Sequence, residues 1–176
     1  GPEVPTARGS IHLTARRCEE GLADFEAAAR IAPEWNQSWS GLGMTRGCLE
    51  ASIKYCQERS QFGKPIGSFQ LIQERIADMV VDLEASRLLV YQAAHLKDKG
   101  LPSSREVSIA KYHNIEVAVR ATKTAVELHG AYGYTDDFPV ERFYRDIIGP
   151  LIFGGTANIQ RLIIGRMTLG IDAISR

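Results

Sequence analysis

Apolar residues recur every three or four positions along most of the chain, which is the spacing of one face of an α-helix. Long helices are predicted from about Glu34 to Arg59, from Phe69 to about Lys99 and from Ser104 to Gly130. Shorter helices are predicted over Val140–Ile147 and from Ala157 to about Leu169. With little strand pattern between them, these elements predict an all-α fold packed as an antiparallel helical bundle.

Residues that start and stop helices lie at the ends of these predicted elements. Ser68 and Thr156 are candidate N-caps, and Ser103 with Glu106 has the spacing of a capping box. Gly100 follows a run of charged residues and is a typical helix stop. Between the first two helices, the composition of residues 63–67 predicts a turn.

The start of the chain differs in character from the rest. Residues 1–20 are irregular, and Ile11–Ala15 alternates apolar with polar residues, as in a strand. We therefore predict a tail over 1–20, the possible remnant of a β domain, and a helical domain over 21–176. Because the chain opens on Gly1 without a methionine, we expect the natural protein to start earlier.

The composition is that of an ordinary folded protein, with 44% hydrophobic and 24% charged residues, which excludes wholesale disorder. Lys plus Arg number 21 and Asp plus Glu number 21. This balance predicts no nucleic-acid partner and no general attraction to an anionic membrane surface. No apolar run is long enough to cross a bilayer, so no membrane span is expected.

The three cysteines, Cys18, Cys48 and Cys56, are odd in number and lack a repeated spacing, which argues against a disulfide framework or zinc site. Cys48 and Cys56 share one helix face, so we expect two small buried side chains. Cysteines of this kind suit a reducing compartment. We therefore expect the cytoplasm, or the mitochondrial matrix if the source is eukaryotic.

Few residues suggest chemistry on their own. His113 and Glu116 show a di-iron spacing only once and in reversed order, so no metal site is expected. His95 and His129 lie near helix ends, where an imidazolium is favourable to the helix dipole. Two glycine-containing segments, 130–133 and 154–156, could let a ligand approach the backbone, and the second precedes a helix N-terminus suited to phosphate. A turn and a cap are the plainer interpretation of both.

Three stretches of sequence, taken together, are far more specific to one protein family than any of these single residues or glycine segments. Residues 59–70 (RSQFGKPIGSFQ) resemble the Arg-x-x-Phe-Gly-x-x-Ile-x-x-x-Gln signature of the acyl-CoA dehydrogenase family. Residues 127–134 (ELHGAYGY) with 139–146 (PVERFYRD) resemble its glycine turn and Arg-Asp helix, and 152–166 (IFGGTANIQRLIIGR) its final FAD-contacting loop and helix. Order and intervals match over about residues 22–170.

The resemblance implies the family's C-terminal four-helix domain, which follows an N-terminal helical domain and a middle β domain. It implies FAD as cofactor, an acyl thioester as substrate and α,β-oxidation as the reaction. It also implies a homodimer or a dimer of dimers, with FAD lying across the contact between two subunits.

Carried over by position, Arg59 would hold the FAD diphosphate of the neighbouring subunit, Phe62 would pack near the flavin's tail, and Gln70 would bond the same region. The turn from Gly130 would approach the adenine side, and the residues after Gly155 would bond the cofactor from within their own subunit. The implied cofactor-binding residues are Arg59, Phe62, Gln70, Glu127, Gly130, Ala131, Thr156 and Asn158. The family usually has Gln in place of Glu127 and Gly in place of Ala131.

The larger departure concerns the catalytic base. Most members carry Glu immediately before the Gly-Thr of the last loop, where this chain has Gly154. Isovaleryl-CoA dehydrogenase and similar members place it early in the first long helix, at a position that aligns with Pro33. Glu34 is one residue away, a rotation of about 100° on a helix. Glu34 is the candidate base, and a first-turn Glu favourable to the helix dipole is the other interpretation.

Three functions follow from these residues. The first is the C-terminal domain of an FAD-dependent acyl-CoA or acyl-carrier dehydrogenase-like flavoprotein, similar to the isovaleryl-CoA and glutaryl-CoA dehydrogenases, with Glu34 as a relocated base. The second is a non-catalytic family member that serves as a dimerisation or FAD-supporting partner. The third is a helical interaction module outside the family, which the three motifs disfavour.

Overall fold

The computed structural model of the chain describes residues 36–173. The predicted tail over 1–20, its boundary with the helical domain and the candidate base Glu34 lie outside the described residues.

Helices dominate the described part of the chain, so the predicted all-α class is confirmed. The three long helices are α1 (Asn36–Glu58), α2 (Gln70–Asp98) and α3 (Ser104–His129). The three shorter ones are α4 (Val140–Asp146), α5 (Ile148–Ile152) and α6 (Ala157–Leu169). Where the ends are described, they lie within two residues of the predicted ones. The count of four bundle helices stays a prediction.

The connection between α1 and α2 is a minimal hairpin, where the sequence predicted only a turn. Strand β1 (Ser60–Gln61) pairs antiparallel with β2 (Lys64–Pro65), and the 3-10 turn Ile66–Ser68 follows. The two residues between the strands, Phe62 and Gly63, both have positive φ, 56° and 81°. That is the conformation of a type I′ hairpin turn, which is unusual for a phenylalanine.

The three predicted caps lie at or next to the helix starts, but none of them makes a side-chain cap hydrogen bond. Phe69 is the N-cap of α2 instead of Ser68, whose hydroxyl donates to the Pro65 carbonyl at 2.7 Å. Ser103 precedes α3 and makes no side-chain cap hydrogen bond. Glu106 accepts a hydrogen bond from the Arg105 guanidinium instead of from the Ser103 backbone N–H. The capping-box prediction is therefore wrong in its bonding, although the helix starts where it placed it.

Helix α3 is the centre of the packing, because it contacts α1, α2 and α6. The largest buried cluster joins α1, α2, α3 and α4 at Cys48, Leu49, Cys56, Met79, Ala121, Ala125, Leu128 and Val140. Burial of Cys48 and Cys56 confirms the prediction from their spacing. Burial raises the pKa of the Cys48 thiol to about 12 and also raises that of Cys56, so both are protonated at neutral pH.

No single helix within residues 36–173 has the length and apolar character needed to span a bilayer. The segments Val140–Ile152 and Ala157–Leu169 reach that length only when taken together, and they meet at a bend of 49°.

Two of the three glycines inside α1 allow another element to approach closely. A Cβ at Gly41 would lie 2.8 Å from the Asn114 carbonyl oxygen, and one at Gly47 would lie 3.2 Å from the Phe143 ring. Gly43 has no such neighbour within 4 Å. Helix contact therefore explains Gly41 and Gly47, whereas Gly43 only lowers the helix propensity of α1.

This difference predicts that adding a methyl group at Gly41 and at Gly43 has opposite effects on the stability of the fold. Gly43→Ala is expected to stabilise the fold by about 1 kcal/mol, because alanine is the better helix former. Gly41→Ala is expected to destabilise it by about 1–3 kcal/mol, because the α3 backbone blocks the new methyl. Chemical denaturation of the two variants measures both; stabilisation by both substitutions would show that α1 and α3 are not in close contact at Gly41.

Candidate functional site

Six of the eight implied cofactor-binding residues lie near one end of the helices, where α1 and α3 end and α2 begins. Arg59 directly follows α1, and its guanidinium carbon lies 5.7 Å from the centroid of the exposed Tyr132 ring. No carboxylate among the described residues pairs with Arg59. Its fork of N–H groups therefore remains available to an anion beside the turn that follows α3.

The 3-10 turn Gly130–Tyr134 is fixed by buried aromatic residues. His129 stacks on Tyr55 with ring centroids 4.3 Å apart, and Phe138 contacts both rings. Burial lowers the pKa of His129, partly offset by the hydrogen bond between Nδ1 and the Ala125 carbonyl. The ring is therefore neutral at pH 7, so the predicted role of His129 as a cation at the helix dipole is wrong.

The glycines of this turn serve different purposes. A Cβ at Gly133 would lie 2.3 Å from the Val126 carbonyl oxygen, so this glycine is required by the packing of the turn on α3. Gly130 has a φ of 60°, and a Cβ added there would have no neighbouring atom within 4 Å. Ala131 is exposed. Gly130 and Ala131 therefore offer open backbone to a ligand, whereas Gly133, which the sequence also suggested, is buried against α3.

The hairpin carries Phe62 to the tip of this end, where 91% of its surface is exposed. Its ring meets Phe69 edge to face at 6.1 Å, and the Lys64 ammonium lies 4.3 Å from the centroid of the same Phe69 ring. Gln70, the next residue, is exposed at the start of α2. An exposed aromatic residue on a positive-φ turn is costly in water and suits contact with a planar or apolar partner.

Glu127 is not an isolated negative charge. Its Oε2 accepts from Arg75 Nη1 at 2.8 Å, and its Oε1 lies 3.6 Å from Lys123 Nζ. Arg75 could not be identified from the sequence, because 52 residues separate it from Glu127. Lys123 lies four residues before Glu127, a spacing that makes helical ion pairs readable from sequence.

The remaining two implied residues, Thr156 and Asn158, lie at the start of α6. Thr156 is the N-cap, as predicted, and its hydroxyl makes no side-chain cap bond. Asn158 accepts from Arg161, which also donates to the Tyr112 hydroxyl at 2.8 Å. A helix start with a free threonine hydroxyl and exposed N–H groups is able to bind phosphate or ribose oxygens.

The loop before Thr156 is held by two side chains that the sequence analysis did not identify. The buried Lys111 ammonium donates to the Gly154 carbonyl, and the Gln160 amide donates to the Gly155 carbonyl at 3.3 Å. Burial lowers the pKa of Lys111. Both glycines have positive φ, 67° and 92°. These contacts fix the path of the loop into α6.

The two groups of residues are far apart within one chain. Sixteen residues of α3 separate Lys111, at the loop before α6, from Glu127, at the other end, which is about 24 Å along a helix. One copy of the chain therefore cannot present Arg59 and Thr156 to the same phosphate groups.

Within residues 36–173, no three His, Cys, Asp or Glu side chains are close enough together to hold a metal ion. His113 lies in α3, and burial lowers its pKa.

Comparisons with known proteins show which family the chain resembles. Residues 35–169 match the family described as acyl-CoA dehydrogenase, C-terminal domain. Glutaryl-CoA dehydrogenase of Desulfococcus multivorans is 47% identical over 137 residues, which are 77% of this chain and 35% of the relative. The CarC subunit of the caffeyl-CoA reductase–Etf complex of Acetobacterium woodii is 44% identical over 73% of this chain and 34% of the relative.

Solved structures show the same fold. A glutaryl-CoA dehydrogenase of Mycobacterium smegmatis in complex with FADH2 aligns with a TM-score of 0.77 and 27% identity, over 90% of this chain and 40% of that one. The chain spans about a third of the length of the two curated relatives named above.

Proposed function

The chain belongs to the acyl-CoA dehydrogenase family, whose C-terminal domain it matches, and we propose that it forms the FAD-binding helical part of a flavoenzyme acting on an acyl thioester. The observation that carries this proposal is Arg59, a cation without a carboxylate partner among the described residues, placed beside an open backbone turn. Several relatives are named acyl-CoA dehydrogenases, glutaryl-CoA dehydrogenase among them, so we propose oxidation of the thioester at its α,β-position.

The described residues fit a dinucleotide cofactor. Arg59 suits a diphosphate, because its planar N–H fork pairs with two oxygens at once. The exposed Phe62 and Gln70 offer a ring and an amide beside it, and Gly130 and Ala131 leave the backbone open. At the other end, Thr156 and Asn158 supply a hydroxyl and an amide at a helix start.

The separation of these two groups supports a cofactor shared between two copies. We propose a homodimer or a dimer of dimers in which Arg59 of one copy and Thr156 of the other contact the same FAD. Exposed apolar side chains on α2 and α6 would be covered in such an assembly: Val80, Val81, Leu88, Ile159, Leu162 and Met167.

Bound FAD would accept the hydride that leaves the β carbon of the acyl chain. The chain itself has to remove the α proton, and Gly154 has no side chain to do so. We propose that Glu34 takes that proton, which requires its carboxylate to come within hydrogen-bond reach of the α carbon. The place of action, cytoplasm or mitochondrial matrix, remains a prediction from the cysteines.

The second candidate function is a non-catalytic partner that completes the FAD site of an active subunit. Gly154 favours it, because the described side chains that hold this loop, Lys111 and Gln160, include no carboxylate.

Flavin content and flavin reduction of the complete protein distinguish these two functions. The enzyme is expected to purify with about one FAD per chain and to lose its flavin absorbance when an acyl thioester is added without an electron acceptor. A flavin-loaded protein that no acyl thioester reduces would favour the non-catalytic partner. A protein that binds no FAD would contradict both.

A further inference from the structure

A cluster of three charged side chains lies beside the implied cofactor residues, and the resemblance assigns only one of them. The two carboxylate oxygens of Glu127 face different cations, Arg75 of α2 at 2.8 Å and Lys123 of α3 at 3.6 Å. With one negative and two positive side chains, the cluster carries a net positive charge.

The partners of Glu127 matter because a carboxylate close to a diphosphate repels it. Lys123 is 67% exposed on the same helix as Glu127, and a lysine of this kind pairs only loosely. Arg75 forms the shorter contact and comes from a different helix, so it fixes the carboxylate against α2. Its removal would leave Glu127 with one solvated partner.

Taking the proposed FAD site as given, we propose that Arg75 is a positioning residue for the cofactor's diphosphate. By pairing with Glu127, it neutralises the carboxylate that replaces the family's usual amide and keeps the cluster of Arg75, Lys123 and Glu127 net positive. Arg75 acts through Glu127 and does not need to contact FAD itself.

The helices offer a matched control. Arg120 of α3 pairs with Asp82 of α2 through two contacts of 3.0 and 3.1 Å, and Arg75 and Arg120 line the same groove of about 340 Å³. Both pairs join α2 to α3 on the protein surface, but Asp82 is not among the implied cofactor residues. Loss of either pair is expected to change stability by a similar small amount.

The test is a double-mutant cycle on the complete apoprotein, read as the FAD dissociation constant from quenching of flavin fluorescence. Arg75→Gln is expected to weaken FAD binding about tenfold, whereas the control Arg120→Gln changes it by less than about threefold. Glu127→Gln is expected to strengthen FAD binding by up to about threefold, because it removes the negative charge that faces the diphosphate. The double variant Arg75→Gln/Glu127→Gln is expected to regain nearly the wild-type constant. Arg75→Lys is expected to keep most of the affinity, because neutralisation needs only the charge.

An equal loss from Arg75→Gln with and without Glu127 would overturn the proposal, since no coupling would then exist. An equal loss from Arg120→Gln would also overturn it, by showing that any ion pair between the two helices has this effect. If the wild-type protein bound no FAD at all, the proposed function would fail and this inference with it. Thermal unfolding of the same apoproteins separates these results from a loss of fold.

Discussion

Replacing Glu34 with glutamine in the complete protein is expected to slow reduction of the bound flavin by an acyl thioester about 10³-fold. The amide keeps the shape of the side chain but cannot accept the α proton. FAD content should not change, because Glu34 is not among the residues proposed to hold the cofactor. Rapid mixing with substrate, monitored by flavin absorbance, measures the rate.

Glu50→Gln provides the control, because Glu50 pairs with Arg46 on α1 and has no proposed part in catalysis. It should reduce its flavin at the wild-type rate. Reduction of the Glu34→Gln protein at the wild-type rate would show that another group removes the proton and would end the assignment of Glu34 as base.

Replacing Arg59 with alanine is expected to weaken FAD binding about 10- to 100-fold. Charge-assisted hydrogen bonds each contribute about 1.5–3 kcal/mol, and the substitution removes those to the diphosphate. It also removes the contact with the Tyr132 ring, whose contribution at an exposed site is about 0.5–1 kcal/mol. The FAD affinity of Arg59→Lys should fall between those of the wild-type protein and Arg59→Ala, because an ammonium keeps the charge without the planar fork.

The matched control is Arg105→Ala, since Arg105 is exposed and pairs with its neighbour Glu106 at the start of α3. Equilibrium titration of the apoproteins with FAD compares the variants. Equal affinities for Arg59→Ala and Arg105→Ala would mean that Arg59 contributes no more to the cofactor than any surface cation.

The helices could be predicted from sequence because their determinants are local. Apolar spacing sets the buried face of each helix, and glycines such as Gly100 and Gly170 end α2 and α6 with positive φ. Cap hydrogen bonds were predicted less well, because a side chain such as Glu106 has several partners within reach. Glu106 forms an ion pair with Arg105 instead of a cap hydrogen bond.

Contacts between distant parts of the chain could not be predicted in this way. Arg75 and Glu127 meet only because α2 and α3 pack side by side, and Arg59 meets Tyr132 only because α1 and α3 end together. The separation of Thr156 from Arg59 likewise depends on where α6 packs along α3. The motifs predicted which residues bind the cofactor, whereas the fold shows that the two groups of predicted residues lie too far apart for a single copy to bring them together.

The cofactor's position between two copies is tested most directly with mixed dimers of Arg59→Ala and Thr156→Ala subunits. When each subunit is made alone, both sites of its dimer lack one cofactor contact, and FAD content is expected to be low. In the mixed dimer, one site carries both substitutions and the other carries neither. The mixed dimer is therefore expected to regain one tightly bound FAD. FAD content no higher than in the two parent dimers would contradict it, because Arg59 and Thr156 would then serve a cofactor held by one chain.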